Sequence, residues 1–257
     1  MSFQGQSLAL TSDGLAAAAS TLNVQVPEIW AVLSVETKGT GFLPDRRPQI
    51  LFERHYFSRL TNHQYDATHP GISNPIQGGY GAIGANQYLR LQEAYGLNQD
   101  AALQSASWGM GQIMGANHKA AGFDDAASMV TAMTNSEDAH LAAMVSFLIA
   151  NRLDRFLAAH DWASFARGYN GPNYAINHYD DKLNTCYQKF QTGTFPDLNV
   201  RAAQIYLQFK GFNPNGIDGV AGPGTASAVK AFQTSIGVTP TGIIDDALLA
   251  ALKPADA

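Results

Sequence analysis

Glu36 is the residue whose position in this sequence most clearly predicts chemistry. Ile29, Val32 and Leu33 precede it by seven, four and three residues, so a helix through this segment carries the carboxyl group on an apolar face. Burial and the negative end of the helix dipole both raise the pKa of a carboxyl group in that position. Such an acid keeps its proton near neutral pH, as protonation of a glycosidic leaving oxygen requires. The alternative is that the last helical turn frays and Glu36 points into water.

Glu53 is the second carboxylate that the sequence singles out. It lies inside the apolar run LFERHYF, where an ionisable side chain is unusual without a partner or a task. Glycosidases commonly pair a raised-pKa acid with a second carboxylate, and Glu53 is the preferred candidate for that role. The alternative is a structural salt bridge to one of three nearby arginines, Arg47, Arg54 or Arg59.

Other patterns of reactive residues are interpreted as structural. The run GGYGAIG at 78–84 has the spacing of a dinucleotide motif, but polar and proline residues precede it where that fold needs a hydrophobic strand. Cys186 is interpreted as a packed thiol in a helix. No metal and no cofactor are predicted, because the clustered histidines lack ligand spacing; they are His55, His63 and His69.

The composition limits the classes of partner. The chain has 257 residues with a formal net charge of -5, which argues against nucleic acid as a ligand. The single cysteine excludes an internal disulfide framework. The longest apolar stretch, 144–150, is far shorter than the roughly 20 residues of a membrane-spanning helix, so no membrane insertion is expected. The first residues, MSFQGQSLALTSDGL, lack the basic and apolar regions of a signal peptide.

The elements that must position these residues are mostly helices. Ser12 and Asp13 are suitable caps before a helix over 15–22, and Pro27 opens a helix over 28–37. Within 48–60 a short strand is expected to run into a helix, and 68–85 is expected to be a long ordered loop. Further helices are predicted over 85–96, 100–107, 124–134, 137–151, 161–169 and 182–190.

A second, smaller unit follows a linker predicted at 191–197. Three short helical patterns occupy it, at 200–209, 225–236 and 245–252. The turns IDGV at 217–220 and PTGI at 240–243 are related and offset by 23 residues, which indicates a weak internal repeat. A unit of this size is small for independent folding and poor in catalytic groups, so binding is its expected role.

Four segments of the larger unit resemble a known family. VETKGTGF, RPQILFERHYF, SWGMGQIMGANH and ARGYNGPNYAINHYDDKL look like the N-acetylmuramidase domain of phage endolysins, which is similar to goose-type lysozymes and soluble lytic transglycosylases. The resemblance covers about 26–190. It implies a mainly α protein in which residues 1–190 form a lysozyme-like α+β catalytic domain.

The resemblance also implies roles for particular residues. Glu36 matches the general acid of the superfamily, at the end of a helix before a small-residue turn. Some goose-type enzymes place water-positioning acids in the range where Asp45 and Glu53 lie, 9 and 17 residues after Glu36. Two further elements are expected to bind substrate: Ser107, Gly109 and Gln112 match Ser-x-Gly-x-x-Gln, whose glycines let the backbone approach sugar, and Tyr169 and Asn170 match Tyr-Asn-Gly, which lines the cleft and orients the acid.

Residues 198–257 resemble a three-helix peptidoglycan-binding domain, through DGVAGPGTASAVKAFQ and TGIIDDALLAAL. Thr241 replaces the usual Asp of the second turn, and the last helix lacks the frequent Trp. A weak binder tethered to a hydrolase raises the local concentration of the catalytic domain on an insoluble polymer.

These resemblances imply a glycoside hydrolase that cleaves the β-1,4 bond between N-acetylmuramic acid and N-acetylglucosamine of bacterial peptidoglycan. The chain is expected to be a monomer, made in the host cytoplasm without a signal peptide and released to the cell wall with the help of a separate membrane-permeabilising protein. One alternative is a lytic transglycosylase, which leaves 1,6-anhydromuramic ends. The other is an inactive structural protein that only binds the wall.

Overall fold

The computed structural model describes residues 2–37 and 39–254. Its secondary structure is mainly helical with one small antiparallel sheet, which confirms the predicted fold class. Within the described residues, each helix is too short or too polar to cross a lipid bilayer. The terminal residues of the two predicted domains, Met1 and Ala257, lie outside the described residues.

The larger unit contains the elements that position the candidate site. Its helices are α1 (Ser12–Leu22), α2 (Val26–Glu36), α3 (Arg54–Leu60), α4 (Asn86–Leu97), α5 (Gln99–Gln104), α6 (Ala126–Asn135), α7 (Glu137–Ala150), α8 (Asp154–Ala158), α9 (Trp162–Asn170) and α10 (Tyr179–Gln191). Its strands are β1 (Ile50–Phe52), β2 (Ala106–Trp108) and β3 (Ile113–Met114). Short 3-10 turns lie at Gly115–Asn117 and Tyr174–Asn177. The segment 68–85 is irregular up to the first turn of α4, as predicted.

Helix α2 forms because its apolar face is buried. Ile29, Val32 and Leu33 are each at most 2% exposed, and α10 packs along the helix with Phe190 against Trp30 at 6.2 Å between ring centroids. The helix covers Val26–Glu36, so it begins two residues before the predicted start at 28 and ends one residue before the predicted end at 37. Its final turn therefore lies between buried side chains and the surface.

Helix α1 begins at Ser12, three residues before the predicted start at 15. The hydroxyl of Thr11 accepts a hydrogen bond from the backbone N–H of Gly14 at 3.0 Å, so Thr11 is the N-cap instead of Ser12. The helix ends at Leu22, and its C-cap residue Asn23 adopts a left-handed conformation with φ of 52°. Thr, Ser and Asp are all suitable N-cap residues, so the sequence alone does not distinguish Thr11 from Ser12 and Asp13.

The sheet is antiparallel in the order β1-β2-β3. Ile50 pairs with Trp108, and Ser107 lies opposite both Leu51 and Met114. The predicted helix over 100–107 is therefore wrong at its end, because α5 stops at Gln104 and Ser107 lies on β2. Ala106 and Trp108 are fully buried. Their burial depends on pairing with β1, more than fifty positions earlier, and local periodicity does not contain that information.

The smaller unit has three helices, as predicted: α11 (Leu198–Phe209), α12 (Pro223–Ser235) and α13 (Asp246–Leu252). Its own core contains Ile205, Leu207, Val229 and Phe232, all at most 3% exposed. Ile236 was expected on the same face as Val229 and Phe232, but it is 46% exposed because α12 ends before it.

A glutamine from α11 holds the first of the two related turns, 217–220. The Oε1 atom of Gln204 accepts hydrogen bonds from the backbone N–H groups of Asp218 and Gly219 at 3.0 and 2.9 Å. Its Nε2 atom donates to Oδ1 of Asp218 at 2.9 Å. The buried side-chain amide of Gln204 thus bonds to both the backbone and the Asp218 side chain of this turn.

The second turn, 240–243, is held in the same way by Gln233 of α12. Its Oε1 atom accepts from the backbone N–H of Gly242 at 2.9 Å, and its Nε2 atom donates to Oγ1 of Thr241 at 3.0 Å. The Thr241 hydroxyl thus takes the place that the Asp218 carboxylate has in the first turn. The predicted internal repeat is confirmed, and the Thr substitution preserves its hydrogen bonding.

Candidate active site

Glu36, the last residue of α2, meets Asn170, the last residue of α9. The Nδ2 atom of Asn170 donates a hydrogen bond to Oε1 of Glu36 at 2.9 Å. The Glu36 side chain is partly buried. This burial raises the pKa of Glu36, and the hydrogen bond from Asn170 opposes the rise to a smaller extent. The acid therefore holds its proton to a higher pH than an exposed glutamate does.

Two tyrosines complete the immediate environment of this carboxyl group. Burial and the nearby charge of Glu36 raise the pKa of Tyr169, and the same two causes raise the pKa of Tyr179. Both hydroxyls thus stay protonated beside the acid. Tyr179 begins α10 and was not among the predicted site residues, although it lies in the segment that carried the family resemblance.

Tyr169 connects α9 to the turn between β2 and β3. Its hydroxyl donates a hydrogen bond to the carbonyl oxygen of Gly111 at 2.6 Å. Its ring stacks on that of Phe165, with centroids 5.7 Å apart and planes 9° from parallel. The helix that supplies Asn170 is thereby fixed against the turn 109–112.

Of the predicted sugar-binding residues, Ser107 lies on β2, and Gly109 and Gln112 lie in the turn that follows it. The hydroxyl of Ser107 donates to Oε1 of Gln112 at 2.9 Å, and Nε2 of Gln112 donates to the carbonyl oxygen of Gly109 at 2.9 Å. Gln112 has a φ of 47°, in the left-handed region that favours glycine. Its side-chain bonds stabilise this conformation. The structure therefore joins all three predicted residues in one hydrogen-bonded hairpin.

The backbone conformation at position 109 and the side chain of His140 beside it both favour glycine there. Its φ is 68°, and a Cβ atom there would lie 2.7 Å from Nδ1 of His140. Sequence reasoning attributed this glycine to the approach of sugar, and that contact stays a prediction. The structure adds a packing reason that does not involve substrate.

His140 of α7 is the buried side chain that organises this packing. Burial lowers the pKa of His140, so the ring is neutral. Its Nδ1 accepts from the backbone N–H of Met110 at 3.2 Å, and its Nε2 lies 2.6 Å from the carbonyl oxygen of Met133, to which it donates in that tautomer. Sequence reasoning missed this residue. The available signal was a lone histidine three residues after Glu137 in an otherwise apolar helix.

Glu53 follows β1 directly and its side chain is 12% exposed. Oε2 lies 3.1 Å from Nδ1 of His55. Burial raises the pKa of Glu53, and this rise is opposed by His55, by a hydrogen bond with Tyr80 and by the charge of Arg90. Glu53 and Glu36 thus have different sets of neighbours that shift their pKa values.

The alternative partners considered for Glu53 have other contacts. The side chain of Arg47 forms an ion pair with Asp45 at 2.6 Å and lies over the ring of Tyr88. Nε of Arg54 donates to a backbone carbonyl oxygen, and Arg59 lies over the ring of Tyr56. Arg90 of α4, which sequence reasoning did not consider, supplies the positive charge near Glu53. Asp45 is thus engaged by its own arginine two residues along the chain.

The long loop before α4 reaches Glu53 through Tyr80. Gln87 fixes this loop, because its Nε2 donates to the carbonyl oxygens of Tyr80 and Ala82 at 2.8 and 2.7 Å. Its Oε1 accepts from the backbone N–H of Phe52 at 2.9 Å, beside Glu53. One buried amide therefore joins the loop to the end of β1. Loops of this kind often line functional sites, and that role stays a prediction here.

The remaining reactive side chains are separate from this site. Among residues 2–37 and 39–254, no group of three or more His, Cys, Asp or Glu side chains is arranged to hold a metal ion. His63 pairs with Asp66 at 3.0 Å on the surface. Burial raises the pKa of Cys186, so this partly buried thiol is protonated.

The sequence and the fold match known wall-degrading proteins. The N-acetylmuramidase family model matches residues 25–191, and the peptidoglycan binding domain model matches residues 196–252. A crystal structure of an endolysin from Burkholderia AP3 phage is 41% identical, with a TM-score of 0.68 over 72% of this chain and 72% of that chain. The comparison with curated proteins gave no match.

Proposed function

The chain belongs to the N-acetylmuramidase family and is a peptidoglycan hydrolase, and from this we propose that it hydrolyses the β-1,4 bond between N-acetylmuramic acid and N-acetylglucosamine with Glu36 as general acid. The observation that carries the proposal is the partly buried Glu36 carboxyl group, with its raised pKa and its hydrogen bond from Asn170. A carboxylic acid in this setting retains its proton to a higher pH than an exposed glutamate does, and a general acid for a glycosidic oxygen needs that proton.

The proposed reaction transfers one proton to the leaving group and one from the attacking water. Glu36 donates its proton to the bridging oxygen, the bond from the anomeric carbon to that oxygen breaks, and water adds to the anomeric carbon. Glu53 holds this water and accepts its proton in the proposal. The pair of carboxyl groups then returns to its starting state by proton exchange with solvent.

Asn170 would serve both the acid and the substrate. Its Nδ2 atom orients the Glu36 carboxyl group through the hydrogen bond described above. Its Oδ1 atom is buried and has no hydrogen-bond partner in the part of the chain that the structure describes. A buried acceptor of this kind is costly unless it gains a donor. We propose that an acetamido N–H or a hydroxyl group of the sugar supplies that donor.

The hairpin 107–112 would form one wall of the sugar-binding cleft. Two hydrogen bonds link Ser107, Gly109 and Gln112 to one another, so these residues would present an ordered surface to the glycan. Tyr169 joins this wall to the helix that carries Asn170. Preorganisation of this type lowers the cost of ordering side chains when substrate binds.

The smaller unit is proposed to bind peptidoglycan. We also propose that the chain consists of a catalytic domain at 1–190, a linker at 191–197 and a wall-binding domain at 198–257. The chain would act as a monomer in the cell wall, after release through the membrane by a separate permeabilising protein.

The decisive experiment on the acid is Glu36→Gln, which retains the shape and removes the proton. Loss of a general acid costs roughly 10²–10⁴-fold in rate, so kcat on purified peptidoglycan is expected to fall by about that amount. Glu93→Gln is the matched control, because Glu93 is exposed on α4. Wild-type kcat for Glu36→Gln would overturn the assignment.

A lytic transglycosylase is the second candidate, and one observation favours it. The hydrogen bond with Tyr80 and the nearby charges of His55 and Arg90 already act on the Glu53 carboxyl group and favour its ionised form, so Glu53 has a structural role within the protein. A transglycosylase needs a single acid, because the acetamido group of the substrate acts as the internal nucleophile. Mass spectrometry of the digest separates the two reactions. Reducing muramic acid ends support hydrolysis, and 1,6-anhydromuramic ends support transglycosylation.

A further inference from the structure

A buried ion pair joins the wall-binding unit to the loop that follows the Glu36 helix. Arg201 of α11 is 4% exposed, and Glu137, the first residue of α7, is fully buried. Nη2 of Arg201 donates to Oε1 of Glu137 at 2.8 Å, while Nη1 contacts Oε2. A charge pair in such a setting needs hydrogen bonds to its remaining polar atoms, and here several of these come from the loop.

The loop residues Gly39, Thr40 and Gly41 are bound by both members of the pair. Nη2 of Arg201 donates to the carbonyl oxygen of Gly39 at 2.7 Å. Oε1 of Glu137 accepts from the Thr40 hydroxyl at 2.9 Å and from the backbone N–H of Gly41 at 2.8 Å. The ion pair thus holds Gly39, Thr40 and Gly41 in place, and the first of these residues lies three positions after Glu36.

The smaller unit also contacts this loop directly. Gly39 has a φ of 93°, and a Cβ atom there would lie 2.9 Å from the carbonyl oxygen of Ile217. A cavity of about 290 Å³ lies beside the contact and is bordered by Thr37, Gly39, Met110 and Arg201 among others. Without the ion pair, the loop would have space in which to move. The end of α2 would then move with it.

The Glu137 carboxyl group of this pair is ionised near neutral pH. Burial alone would raise the pKa of Glu137, but the guanidinium of Arg201 and the hydrogen bonds from Gly41 and Leu10 lower it to about 2. The carboxylate therefore remains ionised, and the contacts persist over the whole range in which Glu36 titrates.

We propose that Arg201 is a positioning residue for the general acid, although it belongs to the wall-binding unit. With Glu137 it holds Gly39, Thr40 and Gly41 and thereby fixes the end of α2 against Asn170. The wall-binding unit is then more than a tether, because it completes the support of the catalytic carboxyl group. This role rests on the proposed function of Glu36.

The test uses the full chain and a substrate that does not need wall binding: soluble, peptide-free strands of alternating N-acetylglucosamine and N-acetylmuramic acid. Arg201→Lys keeps the charge beside Glu137, but a single ammonium group cannot also reach the Gly39 carbonyl in the same geometry. We expect kcat to fall about 10-fold with little change in KM, as for a small displacement of a catalytic group. The high-pH limb of the kcat profile should move to lower pH, because water reaches Glu36.

Two further variants make the result specific. Thr40→Val removes a single loop contact to Glu137 and leaves the ion pair, so it should reduce kcat in the same direction by a smaller factor. Tyr206→Phe is the control, because the Tyr206 hydroxyl accepts a 3.0 Å hydrogen bond from the backbone N–H of Ala9 elsewhere between the two units. Its kcat and pH profile should equal those of the wild type.

Wild-type kcat and an unmoved pH limb in Arg201→Lys and Thr40→Val would overturn the inference, whatever their melting temperatures. If Arg201→Lys does not fold, Thr40→Val decides alone. Glu36→Gln is measured in parallel on the same strands. Activity in that variant would reject the proposed function itself, whereas an inactive Glu36→Gln beside fully active Arg201→Lys and Thr40→Val would reject only the role of Arg201.

Discussion

The amide of Asn170 donates a 2.9 Å hydrogen bond to the carboxyl group of Glu36, and it joins the ends of two helices that are 134 residues apart in the sequence. Each residue is the last of its helix, α9 and α2 respectively. The partial negative charges at both helix ends and the burial of the site disfavour an ionised carboxyl group. The amide N–H favours the ionised form. The pKa of Glu36 reflects this competition, and burial has the larger effect.

Replacement of Asn170 by leucine tests this balance. The change keeps a side chain of similar size and removes the hydrogen bond that lowers the pKa of Glu36. The pKa should rise further, so the high-pH limb of kcat/KM should move to higher pH. We expect kcat to fall about 10-fold, because the acid loses its orientation. Asn184→Leu, at an exposed position on α10, should change neither quantity. A limb that moves to lower pH would show that the hydrogen bond does not act on Glu36 as described.

Glu36→Gln is expected to be more stable than the wild type at high pH. The pKa of Glu36 is raised in the folded chain above its ordinary value of 4.5, so folded protein holds the proton more tightly than unfolded protein. Stability is therefore lost as pH rises through the folded-state pKa. Glutamine does not ionise and avoids this loss. Urea unfolding at pH 5 and pH 8 should show that the advantage of the variant grows with pH, and a constant difference would contradict a raised pKa.

The second carboxylate is tested by Glu53→Gln against Asp45→Asn. If Glu53 holds the attacking water, its replacement should lower kcat about 100-fold, as for loss of a general base. Asp45 pairs with Arg47 and is the weaker candidate, so its variant should retain most activity. Initial rates on purified peptidoglycan give the comparison. Equal rates for wild type and Glu53→Gln would favour the single-acid mechanism of a transglycosylase.

Gly109→Ala and Gly84→Ala separate packing from backbone conformation. Both glycines have positive φ, 68° and 71°, so alanine costs about 1 kcal/mol at either position. A Cβ atom at Gly84 meets nothing within 4 Å, whereas at Gly109 it meets His140 at 2.7 Å. Gly109→Ala should therefore lose about 1–3 kcal/mol more in the free energy of unfolding. Urea denaturation measures the free energy of unfolding of both variants. Equal losses would show that His140 moves away from the added methyl group without a free-energy cost.

Much of the larger fold was predictable because local signals were strong. The face of Ile29, Val32 and Leu33 predicted α2 and the position of Glu36 on its apolar side, since helical spacing alone places these side chains together. The three short helices of the smaller unit were predicted for the same reason. The relation between the two turns of this unit is also visible in the sequence, whereas the hydrogen bonds of Gln204 and Gln233 that close the turns are not.

The errors had a common physical origin in contacts between distant segments. Ser107 was assigned to a helix, but pairing with β1 places it on a strand. The alternative role of Glu53 was a salt bridge to Arg47, Arg54 or Arg59, but the groups that act on it, Arg90 and Tyr80, come from α4 and the loop before it. Residue type and spacing do not encode which distant backbone or charge will complete a local element.

The sequence by itself determined which residue is the acid candidate, the helical character of both units and their family, because these depend on residue type and on spacing within a helix turn. Only the tertiary structure decided what surrounds the acid. Asn170 lies on α9, Arg201 on α11 and Glu137 on α7, and their effect on Glu36 or the loop after it exists only when those helices are packed together. The desolvation and hydrogen bonds that set the pKa and the orientation of a carboxyl group are properties of that packing.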